Sequence, residues 1–160
     1  MTYAGRDYES AFGWIYYLAI AGMVAGFLFM GPEPVPEPRS HTVFGCYASA
    51  SAPAIILDAQ GLQIQQPGFP RIGFHLERLK TGIALTAEAP ISAVVDGDHY
   101  RFSIDRHGAG RYLNFFNVIN GRGYGAFDEN ALSRFSMLAE DGAYLVYERA
   151  ASGSCGTRDR

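Results

Sequence analysis

Two patterns of apolar and polar positions divide the chain. From Phe12 to Gly31 the sequence FGWIYYLAIAGMVAGFLFMG contains no charged residue and leaves no polar face at helical spacing. A helix rising 1.5 Å per residue needs about 20 residues to cross a hydrocarbon core about 30 Å thick. The run predicts a membrane-spanning helix over 12–31, preceded by a short tail at 1–11. Trp14, Tyr16 and Tyr17 gather at its N-terminal end, where amphipathic rings favour the headgroup level.

After the run, prolines alternate with other residues from Pro32 to Pro38. This composition favours an extended polyproline form of about 3.1 Å per residue, so residues 32–40 are read as a stiff linker. Beyond it, over 41–150, apolar stretches are short and rich in Val, Ile, Tyr and Phe, with Gly and Asp-Gly between them. That is strand-and-turn punctuation. The expected fold class is a single N-terminal transmembrane helix plus a small mainly-β domain, a β-sandwich or open-barrel-like meander with one short helix. Residues 151–160 read as a flexible C-terminal tail.

The clearest hairpin runs from Ile91 to Ile104. Taking Asp96-Gly97 as its two-residue turn pairs Val95 with Asp98, Ala93 with Tyr100 and Ile91 with Phe102, which puts the apolar side chains on one face. Similar hairpins are expected from Ile55 to Ile64 and from Gly73 to Thr86. Phe135 to Arg149 could form another hairpin about Asp141-Gly142, but Ala131, Leu132, Phe135, Leu138 and Ala139 also fit a helical stripe that Asp128 would cap and Gly142 would end; a short helix there, followed by a strand through Tyr144-Leu145-Val146-Tyr147, is expected.

Composition changes this picture only at its edges. Aromatic residues make up 14% of the chain and charged ones 18%, so the domain has the side chains to form a core rather than remain disordered. The net charge of -3 provides no basic footprint, and no nucleic acid is expected as a partner.

The apolar run is expected to be a retained signal anchor, because Gly-Pro-Glu-Pro-Val-Pro follows it instead of a small-residue cleavage site. Lipid attachment at Cys46 is set aside, since Val43-Phe44-Gly45 stands well beyond the run and carries Phe at a small-residue position. Flanking charges do not decide orientation, with Arg6 on one side and Arg39 on the other. A short tail before a large domain favours a cytoplasmic N-terminus and a periplasmic or extracellular C-terminal domain. The cysteines agree: Cys46 and Cys155 bracket the domain, and a disulfide between them requires an oxidising compartment. In the chain-entropy model a bridge closing a loop of about 100 residues contributes roughly 4–5 kcal/mol.

Within the run, Gly22 and Gly26, with Ala21 and Ala25 beside them, form a small-xxx-small face on which a second helix could pack. Catalytic signatures are not apparent. Asp96, Asp98, His99, Asp105 and His107 match no Ca²⁺ or Zn²⁺ spacing and are read as solvated loop residues, so no metal is expected. Neither Gly-x-Ser-x-Gly nor His-Glu-x-x-His occurs, and Cys155 lies in the flexible sequence Ser-Gly-Ser-Cys-Gly. Gly121 to Gly125 reads as a bulged loop.

Arg111, Tyr112, Phe115, Phe116, Arg122 and Tyr124 crowd one part of the chain with residue types enriched at protein interfaces, although a β core uses the same aromatics. The expectation is a non-enzymatic accessory or structural subunit of a larger envelope or membrane complex, without a cofactor. Its partners are the lipid bilayer and other membrane or envelope subunits, reached through the helix and the β domain. The alternative is a tethered binding domain for a small molecule or glycan that uses Tyr112, Tyr124 and the arginine-rich loops.

Overall fold

The computed structural model describes residues 8–29, 36–105 and 112–151. Contacts divide the chain between Pro36 and Glu37 into two units. The first contains one helix, α1 (Tyr8–Phe29). Trp14, Ile15, Tyr16, Tyr17 and Leu18 are all exposed, and five consecutive positions cover a full helical turn, so apolar side chains project on every side. Side chains are described only for 13–26, shorter than a bilayer span. Among the described residues, no helix is long and apolar enough to cross a membrane. The sequence-based spanning helix is therefore not carried by the described residues, although the backbone is helical across most of 12–31.

The second unit is mainly β. Its strands are β1 (Gly45–Ala48), β2 (Ile55–Asp58), β3 (Gly61–Ile64), β4 (Phe74–Leu79), β5 (Gly82–Ala87) and β6 (Ile91–Asp96). They continue as β7 (His99–Ile104), β8 (Tyr112–Ile119), β9 (Arg122–Gly125), β10 (Arg134–Leu138) and β11 (Tyr144–Arg149). The main sheet runs β3-β2-β1-β11-β10-β8-β5-β4, antiparallel throughout, with β9 beside β8. Its two ends meet at one point. Leu62 N–H donates to the Ile72 carbonyl at 2.7 Å, and Ile72 N–H donates to the Leu62 carbonyl at 3.0 Å. The result is a nearly closed barrel, the open-barrel member of the expected pair of architectures.

Buried and more exposed positions alternate along β2, β10 and β11, as a period of two requires, whereas β5 is buried at every position. Tyr47, Ile55, Leu57, Leu62, Ile64, Leu76, Leu85, Leu113, Phe115, Phe135, Met137, Leu145 and Tyr147 fill the interior as one cluster. The separate β6–β7 hairpin closes one end of the barrel with Ile91, Ala93 and Phe102. It is fixed there by bonds to three loops: Glu140 N–H to the Ala93 carbonyl at 3.0 Å, Tyr100 N–H to the Ser51 carbonyl at 2.8 Å, and the Gln66 side chain to both backbone groups of Phe102. At the other end the Tyr47 hydroxyl donates to the Val43 carbonyl at 2.9 Å and accepts from Arg149 Nη2 at 2.8 Å. The same guanidinium donates to the Thr42 carbonyl at 2.7 Å.

Burial holds the hydroxyls of Tyr47 and Tyr147 above the usual tyrosine range, with Arg149 partly offsetting the effect at Tyr47. A folded-state value raised above the unfolded one gives stability that is complete below about pH 10 and is lost as pH rises beyond it. The thermal midpoint is expected to fall above about pH 10, and to fall less steeply in Tyr147→Phe. Absorbance at 295 nm should report the buried hydroxyls ionising only with unfolding. A midpoint flat to pH 12 would contradict this.

Three expectations are corrected here. In the Ile91–Ile104 hairpin, Asp96 pairs with His99, Val95 with Tyr100 and Ala93 with Phe102, so the two-residue turn is Gly97-Asp98. Gly97 has φ 64, the positive value a type II′ turn needs at its first central residue. The slip is one residue on each strand, so the apolar residues still share one face.

Residues 134–138 form a strand, β10, rather than a helix. Phe135 and Met137 are buried at alternate positions against β11, and this tertiary pairing outweighs the local helical stripe. The helical turn here is instead the 3-10 turn Glu129–Ala131, where Asp128 Oδ1 accepts from Asn130 N–H at 2.9 Å, and a second 3-10 turn is Ser40–Val43. Finally, Gly121 to Gly125 is not a bulged loop. Asn120 and Gly121, with φ 52 and 75, form a tight turn that pairs β9 with β8.

Candidate functional site

The wall that buries Phe115, Phe135 and Tyr147 inside must turn its alternate residues outward. On β8 these are Tyr112, Asn114 and Phe116, on β10 Arg134, Ser136 and Leu138, and on β11 Tyr144, Val146 and Glu148. Registers bring them together: Leu138 lies opposite Tyr144, and Ser136 opposite both Val146 and Asn114. The β8–β9 hairpin extends beyond the barrel wall and brings Tyr124 to the same region. The resulting groove of about 600 Å³ is lined chiefly by Thr81, Asn114, Phe116, Tyr124, Tyr144 and Val146.

Tyr144 is 70% exposed, the highest value for a large apolar or aromatic side chain on the barrel. Val146, Leu138 and Tyr124 are also exposed, and Phe116 is half-buried. An ion pair between Arg134 Nε and Glu148 Oε1 at 3.0 Å lies on the same outward face. The lining supplies aromatic faces, hydroxyls and one amide. No carboxylate, imidazole or thiol is among its described residues, and its aromatic faces and polar groups can stack and hydrogen-bond.

Another cavity, about 430 Å³, lies along the β6–β7 hairpin, with Val94, Val95, Asp96 and Arg101 among its walls. Among the described residues no three His, Cys, Asp or Glu side chains are grouped to hold a metal. Asp96, Asp98 and His99 surround an exposed turn; His107 lies outside the described residues.

The candidate interface residues separate. Phe116 and Tyr124 line the groove, and Tyr112 is exposed on β8. Phe115, by contrast, is 1% exposed and belongs to the core: its ring meets Phe135 at 5.5 Å and 74°. Arg122 is exposed opposite Ile119 near the tip of the β8–β9 hairpin, and Arg111 lies outside the described residues. On α1, Ala21 and Ala25 are exposed, and a Cβ added at Gly22 or Gly26 would meet no atom within 4 Å, leaving the small-residue face open. Cys46 lies on β1 opposite Ile56 and is not a free thiol, whereas Cys155 lies outside the described residues.

Sequence reasoning missed Asn114, Ser136, Leu138, Tyr144 and Val146 as site residues. In Tyr144-Leu145-Val146-Tyr147 all four side chains are apolar or aromatic, so alternation alone does not tell which pair faces water. The Asn120-Gly121 dipeptide between Val118-Ile119 and Arg122 was the available signal for the β8–β9 hairpin.

Comparison with protein-family models, curated proteins and solved structures finds no match. Fold and surface together define the class: a helix-bearing chain with a barrel whose interior is filled by its own side chains and whose outer wall presents an aromatic groove.

Proposed function

We propose that the protein is a membrane-anchored, non-enzymatic accessory subunit of a larger envelope or membrane complex, and that the outer wall of β8, β10 and β11 docks a protein partner. The observation that carries this is the grouping of Tyr144, Val146, Leu138 and Phe116 on one outward face. Aromatic and aliphatic anchors with a polar rim are what protein recognition uses. The filled barrel interior supports a role on the surface. In this reading α1 and its apolar flanks form a retained anchor. The N-terminus is cytoplasmic, the barrel lies on the periplasmic or extracellular side, and a Cys46–Cys155 bridge clasps it. The apolar side chains exposed on every side of α1 favour a lipid environment over water.

Purification of the full chain in mild detergent with in-cell crosslinking tests the subunit reading. Tyr144→Ala is expected to lower partner recovery about tenfold or more, the scale of an interface hot spot, with little change in thermal midpoint. A strictly monomeric protein from which no crosslinked partner is recovered would sink the idea. Resistance of the barrel to protease added to spheroplasts would contradict the exported topology.

A second reading is favoured by the groove itself. Tyr124 and Tyr144 with Asn114, Ser136 and Thr81 could stack on and hydrogen-bond a glycan or another small polar molecule. Saturable binding of an oligosaccharide, abolished by Tyr124→Ala while partner crosslinking persists, would select this alternative.

A further inference from the structure

Apart from the Leu62–Ile72 contact, β4 has a strand on only one side. Over its whole length it pairs with β5, from Phe74 opposite Ala87 to Leu79 opposite Gly82. Glu88 N–H donates to the Gly73 carbonyl at 2.9 Å, so Gly73 faces β5. By strict antiparallel alternation His75, Glu77 and Leu79 do the same, while Ile72, Phe74, Leu76 and Arg78 direct their backbone groups the other way. Ile72 confirms the alternation, because its N–H and C=O are the groups that meet Leu62. β3 begins at Gly61, one residue from that contact, so among the described residues no strand faces Phe74–Arg78. Three outward N–H and three outward C=O groups remain along about 14 Å of strand. The edge carries no proline, lysine or bulge, and its charged side chains are Glu77 and Arg78, the latter held by Glu129 and the Phe127 carbonyl.

We propose that this edge pairs with the same edge of a second copy of the chain, β4 against β4 and antiparallel, with Leu76 on the two-fold axis. The register follows from backbone and charge together. With Leu76 opposite Leu76 of the second copy, Phe74 faces Arg78 and all three outward pairs meet, which makes six backbone hydrogen bonds. The same register sets His75 opposite Glu77 twice, on the outer face of the joined sheet. These two side chains already bond within one strand, His75 Nε2 to Glu77 Oε1 at 2.7 Å, and both are accessible, 56% and 36%. Shifting the register by two residues sums would place His75 on His75 or Glu77 on Glu77, and like groups directly opposite are unfavourable. Complementarity therefore selects one alignment. The proposal rests on the barrel alone and holds whether or not α1 spans a membrane.

The test uses the full chain in mild detergent and two variants, His75→Cys and Glu77→Cys, at exposed or half-exposed positions. In the proposed register residues 75 and 77 of opposite copies form a non-hydrogen-bonded pair with Cα atoms about 4.5 Å apart, within disulfide range. Two copies of position 75, or of position 77, lie roughly 8 Å apart, beyond it. Mild oxidation of the mixed variants is expected to yield the 75–77 linked peptide by mass spectrometry at least tenfold above any 75–75 or 77–77 link. Helix-mediated association would not produce that bias. In parallel, His75→Glu alone is expected to weaken the dimer, and adding Glu77→His to restore it, because the swap re-creates both cross-copy pairs. No bias toward the 75–77 link, or a double variant no more dimeric than the single one, overturns the proposal.

Discussion

Replacing Gly125 by alanine is expected to destabilise the barrel by more than about 4 kcal/mol, in the range that only a specific mechanism can produce. A Cβ at this position would fall inside the van der Waals radius of the Thr81 carbonyl oxygen, in the turn between β4 and β5. The Cβ is fixed by the backbone it sits on and the oxygen it meets is itself backbone, so no rotamer change relieves the overlap. One segment must move. Two hydrogen bonds hold the junction together: Ile83 N–H to the Ala126 carbonyl at 2.7 Å, and Ala126 N–H to the Phe115 carbonyl at 3.0 Å. Displacing the Gly125 segment strains both, and displacing the Thr81 segment strains the first. Gly123→Ala is the control in the same strand, since its nearest neighbour would be Phe116 Cδ2 at 3.6 Å, an ordinary contact. That variant should remain within about 0.5 kcal/mol of the parent protein. Urea unfolding of the two variants in parallel checks the difference, and equal losses would refute the close approach of β9 to the β4–β5 turn.

Phe135→Ala is expected to cost about 3–5 kcal/mol. Phe135 is fully buried at the centre of four aromatic rings: Tyr147 stacks on it at 5.0 Å and 16°, Tyr47 lies at 4.9 Å and Phe115 at 5.5 Å. These rings come from β1, β8, β10 and β11, so the loss falls on the wall behind the groove. Removing the ring opens a void that strands tied by ladders on both sides cannot collapse to fill. Tyr144→Ala on the opposite face should cost about 0.5 kcal/mol or less. Thermal or urea unfolding of both reads inside from outside on the same pair of strands. A large loss at Tyr144 together with a small one at Phe135 would mean the barrel is assigned inside out.

These paired tests follow the boundary between what local pattern revealed and what it left open. The Ile91–Ile104 hairpin was legible because polar and apolar residues alternate along it. Even with the turn misplaced by one residue on each strand, Ile91, Ala93 and Phe102 kept their common face. In β10 local pattern left helix and hairpin both open, because a helical stripe and a strand alternation share Phe135 and only pairing with β8 and β11 separates them. The candidate wall was half legible. Phe116 and Tyr124 stood out by residue type, whereas Phe115 of the same type points into the core.

By itself the sequence determined the apolar run, the alternating prolines after it, a mainly-β domain and most of the turns. Each of these depends on residues close together along the chain. Tertiary structure decided the closure of the barrel through β1–β11 and Leu62–Ile72, the choice of buried face on β8 and β11, and, among the described residues, the open edge at β4. Those features join residues far apart in sequence, such as Tyr47 opposite Arg149. Where a strand is apolar on both faces, a period of two identifies the strand without saying which side meets water.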